Sequence, residues 1–331
     1  MDLDAFVADR YPAWERLDEL SRRRDLTSAE TDELVDLYER VSTHLSLVRS
    51  TSPDPGLVSY LSAVLTRARL TASARRTTSW GDVARFFTHT FPGALYRTRR
   101  WWIATTVLNV AAAVAVGWWA VGHPEFFAEQ MTQEEIDAYV GTDFENYYSE
   151  FPHHEFAALV WTNNAWVSAQ AIAFGVLGLP TLWVLFQNTV NVGLAGALMV
   201  SHGRGSLFFG LILPHGLLEL TAVFVAGATG LRLFWSWIEP GDRTRAQSFA
   251  AEARSAFAVA LGLVPVLLVS GLIEGFVTPS SLPTWARIVV GVVAETAFLA
   301  YVVVLGRRAA RDGATGDLDE VDRGASVPTL G

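Results

Sequence analysis

One apolar stretch, residues 207–231, limits the possible folds of this chain more than any other. It contains the sequence Leu213-Pro-His-Gly-Leu-Leu-Glu-Leu220. The run is long enough to cross a bilayer, because about 20 apolar residues in a helix span the hydrocarbon core. His215 and Glu219 are spaced so that they share one helical face. A carboxylate at mid-membrane costs roughly 3 kcal/mol and faces a protein interior or a wet cavity. The rest of the chain is expected to provide that shelter.

The composition places the chain among membrane proteins. It is 51% hydrophobic with a mean hydropathy of +0.27, and the apolar residues come in blocks. The absence of Cys excludes disulfides, thiol nucleophiles and thiolate metal sites. The net charge of −9 and the lack of a basic face argue against nucleic acid as a partner. The first residues are charged, so we expect no cleaved signal peptide.

The polar segment 1–79 predicts a cytoplasmic helical region of three helices. Thr27 and Glu30 form a capping box at the start of the second helix. Residues 53–56 break that helix, because they contain two prolines and a glycine. Apolar stripes at helical spacing predict the core of a small antiparallel helical domain, with docking of a partner as the alternative. The stripes comprise Phe6, Trp14, Leu17, Leu20, Leu34, Leu37, Val41, Leu45, Val48, Leu57, Leu61, Val64, Leu65 and Ala68.

Residues 80–102 predict an interfacial elbow helix, since aromatic residues and arginines alternate along them. Pro92-Gly93 is expected to bend this helix. Trp101 and Trp102 mark the boundary between water and lipid, where indole rings are enriched.

The remaining apolar runs predict an all-α, polytopic membrane helix bundle of about six spans within residues 103–306. A disordered cytoplasmic tail is expected at 307–331, because it is acidic and contains glycine. Residues 180–191 are ambiguous between a turn and a re-entrant break, since Pro180 interrupts the apolar pattern. The approximate spans are 103–121, 156–179, 182–200, 207–231, 256–277 and 288–305.

The distribution of arginine predicts the orientation. Three arginine clusters lie before span one, after span four and after span six. If the chain has six spans, all three clusters fall on the same side of the membrane. The positive-inside rule predicts that this side is the cytoplasm. The acidic loop 123–155 contains no arginine and falls on the outside. We therefore predict a multi-pass protein of the cell membrane with both termini in the cytoplasm.

Polar side chains inside these spans form the predicted intramembrane polar site. Amides in hydrocarbon need partners, so they act either as links between helices or as the lining of a polar cavity that includes His215 and Glu219. Glu219, Glu274 and Glu295 are expected to approach one another. No catalytic triad, phosphate loop or nucleotide fingerprint is visible, so no catalytic residue is assigned. The site comprises Asn163, Asn164, Asn188, Asn191, His215, Glu219, Glu274 and Glu295.

The His215–Glu219 pair admits three interpretations. It is a structural hydrogen-bonded pair, a proton or ion relay, or part of a zinc site. The pair offers only two ligands, without further His or Cys at metal-binding spacing. We therefore predict no metal and no cofactor.

Small residues recur at close-packing spacing within the spans. Such pairs allow helix backbones to approach, and packing within the chain is expected more than dimerisation, although a homo-oligomer stays open. The pairs are Gly193 with Ala197, Ala226 with Gly230, and Gly271 with Gly275.

Over residues 87–308 the chain resembles the stage II sporulation protein M family of bacterial integral membrane proteins. The family's namesake works during forespore engulfment, in a membrane complex with peptidoglycan-degrading partners. The resemblance therefore implies a membrane topology, polar motif residues and action in a complex. The residues that carry it are Thr162-Asn-Asn164, Gly178 with Pro180-Thr181, Asn188 with Gly193, Leu213-Pro-His-Gly-Leu-Leu-Glu219, Ala226-Gly227 with Gly230-Leu231, and Ile273-Glu-Gly-Phe-Val-Thr-Pro279.

Three functions remain open at this point. The first is a non-enzymatic organiser of a cell-envelope complex, with membrane lipids and envelope proteins, including peptidoglycan-remodelling ones, as partners. The second is a transporter or permease-like protein with a water-accessible cavity lined by Asn188, His215, Glu219 and Glu295. The third, intramembrane hydrolysis, requires a metal ion.

Overall fold

The computed structural model describes residues 3–23, 26–51, 54–74, 80–149 and 151–317. The described residues form helices and turns, in two compact units, Met1–Asp82 and Val83–Gly331. Each unit has a hydrophobic core of its own. The second unit contains the predicted intramembrane site.

The first unit is a bundle of three helices, α1 (Leu3–Arg22), α2 (Ser28–Thr51) and α3 (Pro55–Ala74). Its core consists of the predicted stripes, with Leu57 packed at the edge of it. The capping box is confirmed, because the Thr27 backbone N–H donates to the Glu30 carboxylate and the Glu30 N–H donates to the Thr27 hydroxyl. The bonds from the Thr27 backbone and hydroxyl, followed by one from Arg23, lower the pKa of Glu30 to about 2.

The second unit is built on long helices joined by short turns. Pro214 and Pro265 lie inside two of these helices without ending them. The long helices are α6 (Arg99–Val121), α10 (His153–Ala173), α11 (Leu179–Ser201), α12 (Gly205–Ile238), α13 (Arg245–Leu272) and α14 (Thr284–Arg311). Its short helices are α5 (Phe91–Arg97), α7 (Glu125–Gln130), α8 (Gln133–Ala138) and α9 (Phe144–Asn146). A further short helix, α4 (Trp80–Arg85), includes the boundary between the two units at Asp82 and Val83.

Five described helices are long and apolar enough to cross a membrane: α6, α11, α12, α13 with the turn that follows it, and α14. This finding confirms the membrane helix bundle. α10 is not among the five, since its amides and histidines lower its hydropathy. Its 21 residues give a length of about 30 Å, which matches the hydrocarbon core. A sixth crossing by α10 therefore stays a prediction.

The long helices alternate in direction around α12. α10 runs parallel to α12, because Phe156 packs with Leu211 near one end and Ala171 touches Gly230 near the other. α14 also runs parallel to α12, whereas α11 and α13 run antiparallel to it. The contacts that fix these directions are Gly291 with Pro214, Glu295 with Thr221, Leu185 with Gly227, and His215 with Thr278.

The alternation gives the bundle an arginine end and an acidic end. At the arginine end Arg97 and Arg232 both bind the carboxylate of Glu252, at 2.6–3.1 Å. At the acidic end the segment 122–152 covers the starts of α10 and α12, and Arg204 contacts Glu145 there at 3.6 Å. The three predicted arginine clusters thus share one end, and the side of the membrane on which that end lies stays a prediction.

The elbow at residues 80–102 is docked onto the bundle. Phe91 is buried beneath Gly262 of α13, and the hydroxyl of Tyr301 donates to the backbone oxygen of Phe87 at 2.6 Å. The expectation of an aromatic face directed at lipid headgroups was therefore wrong for Phe91 and Leu95, which belong to the helix core. A π-helical turn, Phe86–Thr90, precedes α5, and Pro92 lies in the first turn of α5.

Three segments predicted to be irregular are more regular than expected. The predicted loop 123–155 holds α7, α8 and α9 and the start of α10. The turn before α11 contains Gly178 at φ 78°, and α11 itself is unbroken, so residues 180–191 are not a re-entrant break. The predicted tail begins inside α14, and Asp317 is buried against Arg254, with bonds of 2.5 and 2.7 Å. Residues 318–331 lie outside the described part.

The small-residue pairs pack within the chain, as predicted. A Cβ atom added at Gly230 would lie 2.2 Å from the backbone oxygen of Ala171 in α10. A Cβ atom added at Gly193 would likewise overlap the backbone of Ala113 in α6, and one added at Gly275 would overlap Ala157 of α10. These close backbone approaches fix how the helices surround α12 and so position the polar groups that they carry.

Candidate functional site

The candidate site lies where α12 meets the end of α13. His215 and Glu219 lie on the face of α12 that is turned toward α13. α13 continues into a π-helical turn, Ile273–Val277, which ends with a bond from the Thr278 N–H to the Ile273 oxygen. Such turns occur frequently at functional sites because the wider spiral redirects side chains. Here the turn brings Glu274 and Thr278 to opposite nitrogens of the His215 ring.

Three potential ligand side chains converge at this position. His215, Glu219 and Glu274 each offer one ligand atom, and these atoms all lie within 4.8 Å of one another. The Nε2 atom of His215 is 3.7 Å from Oε1 of Glu274, which is too long for a hydrogen bond. His215 and Glu274 are each only 4% exposed. The cluster, called the His–Glu–Glu cluster below, is therefore sheltered by protein.

Two members of the cluster, His215 and Glu219, have neighbours that orient them. Nδ1 of His215 lies 3.3 Å from the hydroxyl oxygen of Thr278. The Ser270 hydroxyl lies 3.4 Å from Oε2 of Glu219 and also bonds the backbone oxygen of His215 at 3.1 Å. The Asn164 side chain lies beside the Glu219 side chain. Glu274 differs, because its Oε2 atom is buried without a hydrogen-bond partner among the described residues.

The acidic end of the bundle closes over this cluster. The ring of Tyr148 lies 5.9 Å from the His215 ring, centre to centre, and Tyr148 is 4% exposed. Tyr148 belongs to a small apolar group with Phe156, Val160 and Leu211. The cluster is thus covered by the segment 122–152 and lies toward the acidic end of α12.

The structure divides the eight predicted site residues into three groups. Asn164, His215, Glu219 and Glu274 come together. Glu295 does not join them, because it accepts a 3.0 Å bond from Thr221 on another face of α12. Asn188 donates to the Val184 backbone oxygen of its own helix. The remaining two, Asn163 and Asn191, are exposed on the outside of the bundle.

The expected approach of three glutamates is therefore correct for Glu219 with Glu274 and wrong for Glu295. Residues 219 and 221 differ by two positions, which rotates them by about 200° around α12. Glu295 follows Thr221 and so lies on the far side of α12 from Ser270. A single cavity lined by Asn188, His215, Glu219 and Glu295 does not match this arrangement.

Several polar residues that contribute to the arrangement carried no sequence signal. Ser270, Thr278 and Tyr148 surround the cluster, yet a lone Ser, Thr or Tyr in or beside an apolar run is common in helix bundles. Away from the cluster, a hydrogen bond between side chains joins α11 to α6. The Thr189 hydroxyl donates to the amide oxygen of Asn109 at 2.6 Å.

The arrangement has the chemistry of a ligand set for a cation. Two carboxylates and one imidazole face one another, and among the described residues no arginine lies within salt-bridge distance of either carboxylate. The chain contains no lysine that could take that place. The sequence-based expectation of no metal rested on a two-ligand count, which the tertiary structure extends to three.

Comparisons with known proteins agree with the fold. A family model described as Stage II sporulation protein M matches residues 106–279, which is more than half of the chain. A second model, described as a domain of unknown function (DUF8413), matches residues 4–73, the three-helix unit. No curated protein and no solved structure matches the chain. From the first match, the chain belongs to the Stage II sporulation protein M family of membrane proteins.

Proposed function

We propose that this protein is a non-enzymatic organiser of a cell-envelope complex, and that it binds a membrane partner through the outward side of α10 and α11. The observation that carries this proposal is a set of exposed amide side chains without a hydrogen-bond partner among the described residues. Asn163, Gln187 and Asn191 are exposed on these helices. None of them forms a hydrogen bond with another described residue.

The three amides lie at one depth. Measured from the turn between the two helices, Asn163 is ten positions into α10, roughly 15 Å. Gln187 and Asn191 are eight and twelve positions into α11, roughly 12 and 18 Å. An amide exposed to hydrocarbon at mid-membrane lacks the water that would otherwise bond it. An interhelical hydrogen bond to a partner relieves that cost by about 0.6–2 kcal/mol per bond.

Large aromatic side chains are exposed on the same two helices. Trp166, Trp183 and Phe186 are each more than half exposed. We call Asn163, Gln187 and Asn191, together with these three aromatic residues, the amide face. Exposed polar groups on helices that also expose aromatic rings suit a transmembrane helix that carries its own polar side chain. The partner class expected from the family resemblance is a cell-envelope membrane protein, with peptidoglycan-remodelling enzymes among the candidates.

The transporter alternative has less support from the geometry. Of its four proposed lining residues, His215 and Glu219 share one face of α12. Glu295 of α14 bonds Thr221 on another face of α12, and Asn188 bonds the backbone of its own helix α11. A transport pathway needs polar groups that line one water-filled route. The organiser function does not require such a route, and it uses the outer surface of the bundle instead.

The test replaces the amides by apolar residues of similar size. In the variant Asn163→Leu, Gln187→Leu, Asn191→Leu we expect normal folding, because these side chains face outward, and loss of the partner in mild detergent. The matched control is Thr296→Leu, an exposed polar residue on α14. The measurement is the size of the complex on native gels, with identification of the co-migrating protein.

Site-specific photo-crosslinking gives a second measurement. A photoreactive residue at Trp183 should crosslink to one discrete membrane protein, whereas the same residue at Val292, on the outward side of α14, should not. The proposal fails if the triple variant keeps its complex. It also fails if Trp183 crosslinks only to lipid or only to a second copy of this chain.

A further inference from the structure

We propose that the His–Glu–Glu cluster is a binding site for one divalent metal ion, with Zn²⁺ as the ion that fits it best. His215, Glu219 and Glu274 supply three protein ligands, and a fourth position is left for water. The proposal concerns the interior of the bundle and is independent of the amide face.

The first argument is the orientation of the His215 ring. The Thr278 hydroxyl directs its own hydrogen to the backbone oxygen of Ile273, at 3.4 Å. Its lone pairs therefore remain free, and we assign the ring proton to Nδ1, which donates to Thr278 at 3.3 Å. Nε2 is then an unprotonated lone pair that faces Glu274. Metal-binding histidines are commonly held in this way, through a hydrogen bond from the other ring nitrogen.

The second argument is the distance between Nε2 and the Glu274 carboxylate. At 3.7 Å the two atoms are too far apart to share a proton in a normal hydrogen bond. The same distance is close to the edge of a tetrahedron around Zn²⁺, roughly 3.4 Å for bonds of about 2.0–2.1 Å. Two sets of lone pairs that face each other at this distance are stabilised by a cation between them.

The third argument is the unpartnered oxygen of Glu274. Its Oε2 atom is buried without a hydrogen-bond partner among the described residues, in a side chain that is 6% exposed. Buried polar atoms without partners are rare in native structures, because each one costs about 1–3 kcal/mol. A metal bound to this carboxylate would remove that cost.

The fourth argument is charge. The two carboxylates carry up to two negative charges, and no arginine among the described residues is close enough to pair with them. A divalent cation would neutralise both. One nitrogen and two carboxylate oxygens form a ligand set that suits Zn²⁺, with Mn²⁺ and Fe²⁺ as weaker fits because they favour more oxygen ligands and higher coordination.

The test uses the full chain purified in detergent, stripped with a chelator and titrated with ZnCl₂. We expect one Zn²⁺ per chain by elemental analysis and a rise in the melting temperature on Zn²⁺ addition. Co²⁺ in place of Zn²⁺ should give the visible absorption of a tetrahedral site. Chelator added afterwards should reverse both effects.

Variants separate this site from other membrane carboxylates. Glu274→Gln and His215→Gln should weaken Zn²⁺ binding more than about 100-fold, since loss of a second-shell partner alone costs about 10–100-fold. Thr278→Val removes only the hydroxyl that accepts from Nδ1 of His215. It should therefore weaken Zn²⁺ binding by about 10–100-fold. Glu295→Gln is the matched control, because Glu295 is also a membrane carboxylate with a buried Oε2 atom that lacks a partner among the described residues, but it bonds Thr221 and lies outside the cluster. It should bind Zn²⁺ as the unchanged protein does.

The first decisive outcome needs no variant. If the stripped, unchanged protein shows no saturable Zn²⁺ binding and no shift in melting temperature, the proposal is overturned. It is equally overturned if a folded Glu274→Gln protein binds Zn²⁺ as tightly as the unchanged one, or if Glu295→Gln loses binding to the same degree.

Discussion

At the scale of single residues, most buried polar groups of this protein find a partner nearby. The indole N–H of Trp14, at the centre of the first unit, donates to Nδ1 of His44 at 3.0 Å. At the arginine end of the second unit, Glu252 accepts bonds from two arginines. Oε2 of Glu274 is one of seven buried side-chain atoms that lack a partner among the described residues, and Oε2 of Glu295 is another. The three amides of the amide face are exposed and lack a partner among the described residues as well.

The Trp14–His44 bond predicts a pH dependence of the first unit. Burial, followed by the nearby charge of Arg10, lowers the pKa of His44 below its ordinary value of 6.5. The folded state therefore binds the proton less readily than the unfolded state, and stability falls as the pH drops below 6.5. Protonation also removes the acceptor of the Trp14 bond, which is worth about 1 kcal/mol.

We expect His44→Gln to reduce this dependence, because an amide oxygen accepts the same bond and does not titrate. The measurement is urea unfolding of the unit Met1–Asp82 at about pH 8 and about pH 5, on either side of the ordinary histidine pKa. Glu39→Gln, at an exposed position, is the control and should keep the dependence. An equal loss of stability in His44→Gln and the unchanged unit would contradict the assignment.

At the scale of helices, α12 is positioned by close backbone contacts. Gly230 meets α10 at Ala171 and α11 at Thr181, and Gly291 of α14 meets Pro214 of α12. These contacts bring the helices close enough for Ser270 and Asn164 to reach Glu219. The spacing between helices is therefore a condition for the polar site.

We predict that Gly230→Ala destabilises the membrane unit by about 1–3 kcal/mol or more, because the new methyl group would overlap a backbone oxygen that cannot rotate away. The measurement is the melting temperature in detergent, followed by size-exclusion chromatography. Gly141→Ala is the control, since a Cβ atom there meets nothing within 4 Å. Similar melting temperatures for the two variants would show that the approach of α10 to α12 is looser than described.

At the scale of the whole membrane unit, polarity is divided between two ends. The arginine end holds Arg97, Arg232 and Glu252, and the acidic end holds the segment 122–152. The positive-inside rule predicts that the arginine end faces the cytoplasm. The His–Glu–Glu cluster, which lies toward the acidic end, would then be nearer to the outer surface.

The absence of cysteine makes this orientation testable with single introduced thiols. We expect a membrane-impermeant maleimide to label Glu134→Cys in intact cells and Asp242→Cys only after permeabilisation. Both positions are exposed, one in the segment 122–152 and one in the turn between α12 and α13. The reverse pattern would place the arginine end outside.

Some of this protein followed from the sequence alone. Apolar runs and stripes determined the helices and the three-helix core, because helix periodicity and membrane length are local properties. The apolar run and the spacing of His215 and Glu219 marked α12 as a membrane helix with a polar face.

Only the tertiary structure decided which polar groups meet. Glu274 lies beside His215, whereas Glu295 bonds Thr221 on another face of α12. The two glutamates stay apart because the faces of α12 that carry Glu219 and Thr221 point in nearly opposite directions. The docking of Phe91 onto Gly262 and the burial of Asp317 also depended on neighbours distant in sequence. Local pattern specifies what each helix is, whereas packing specifies which side chains share an interior.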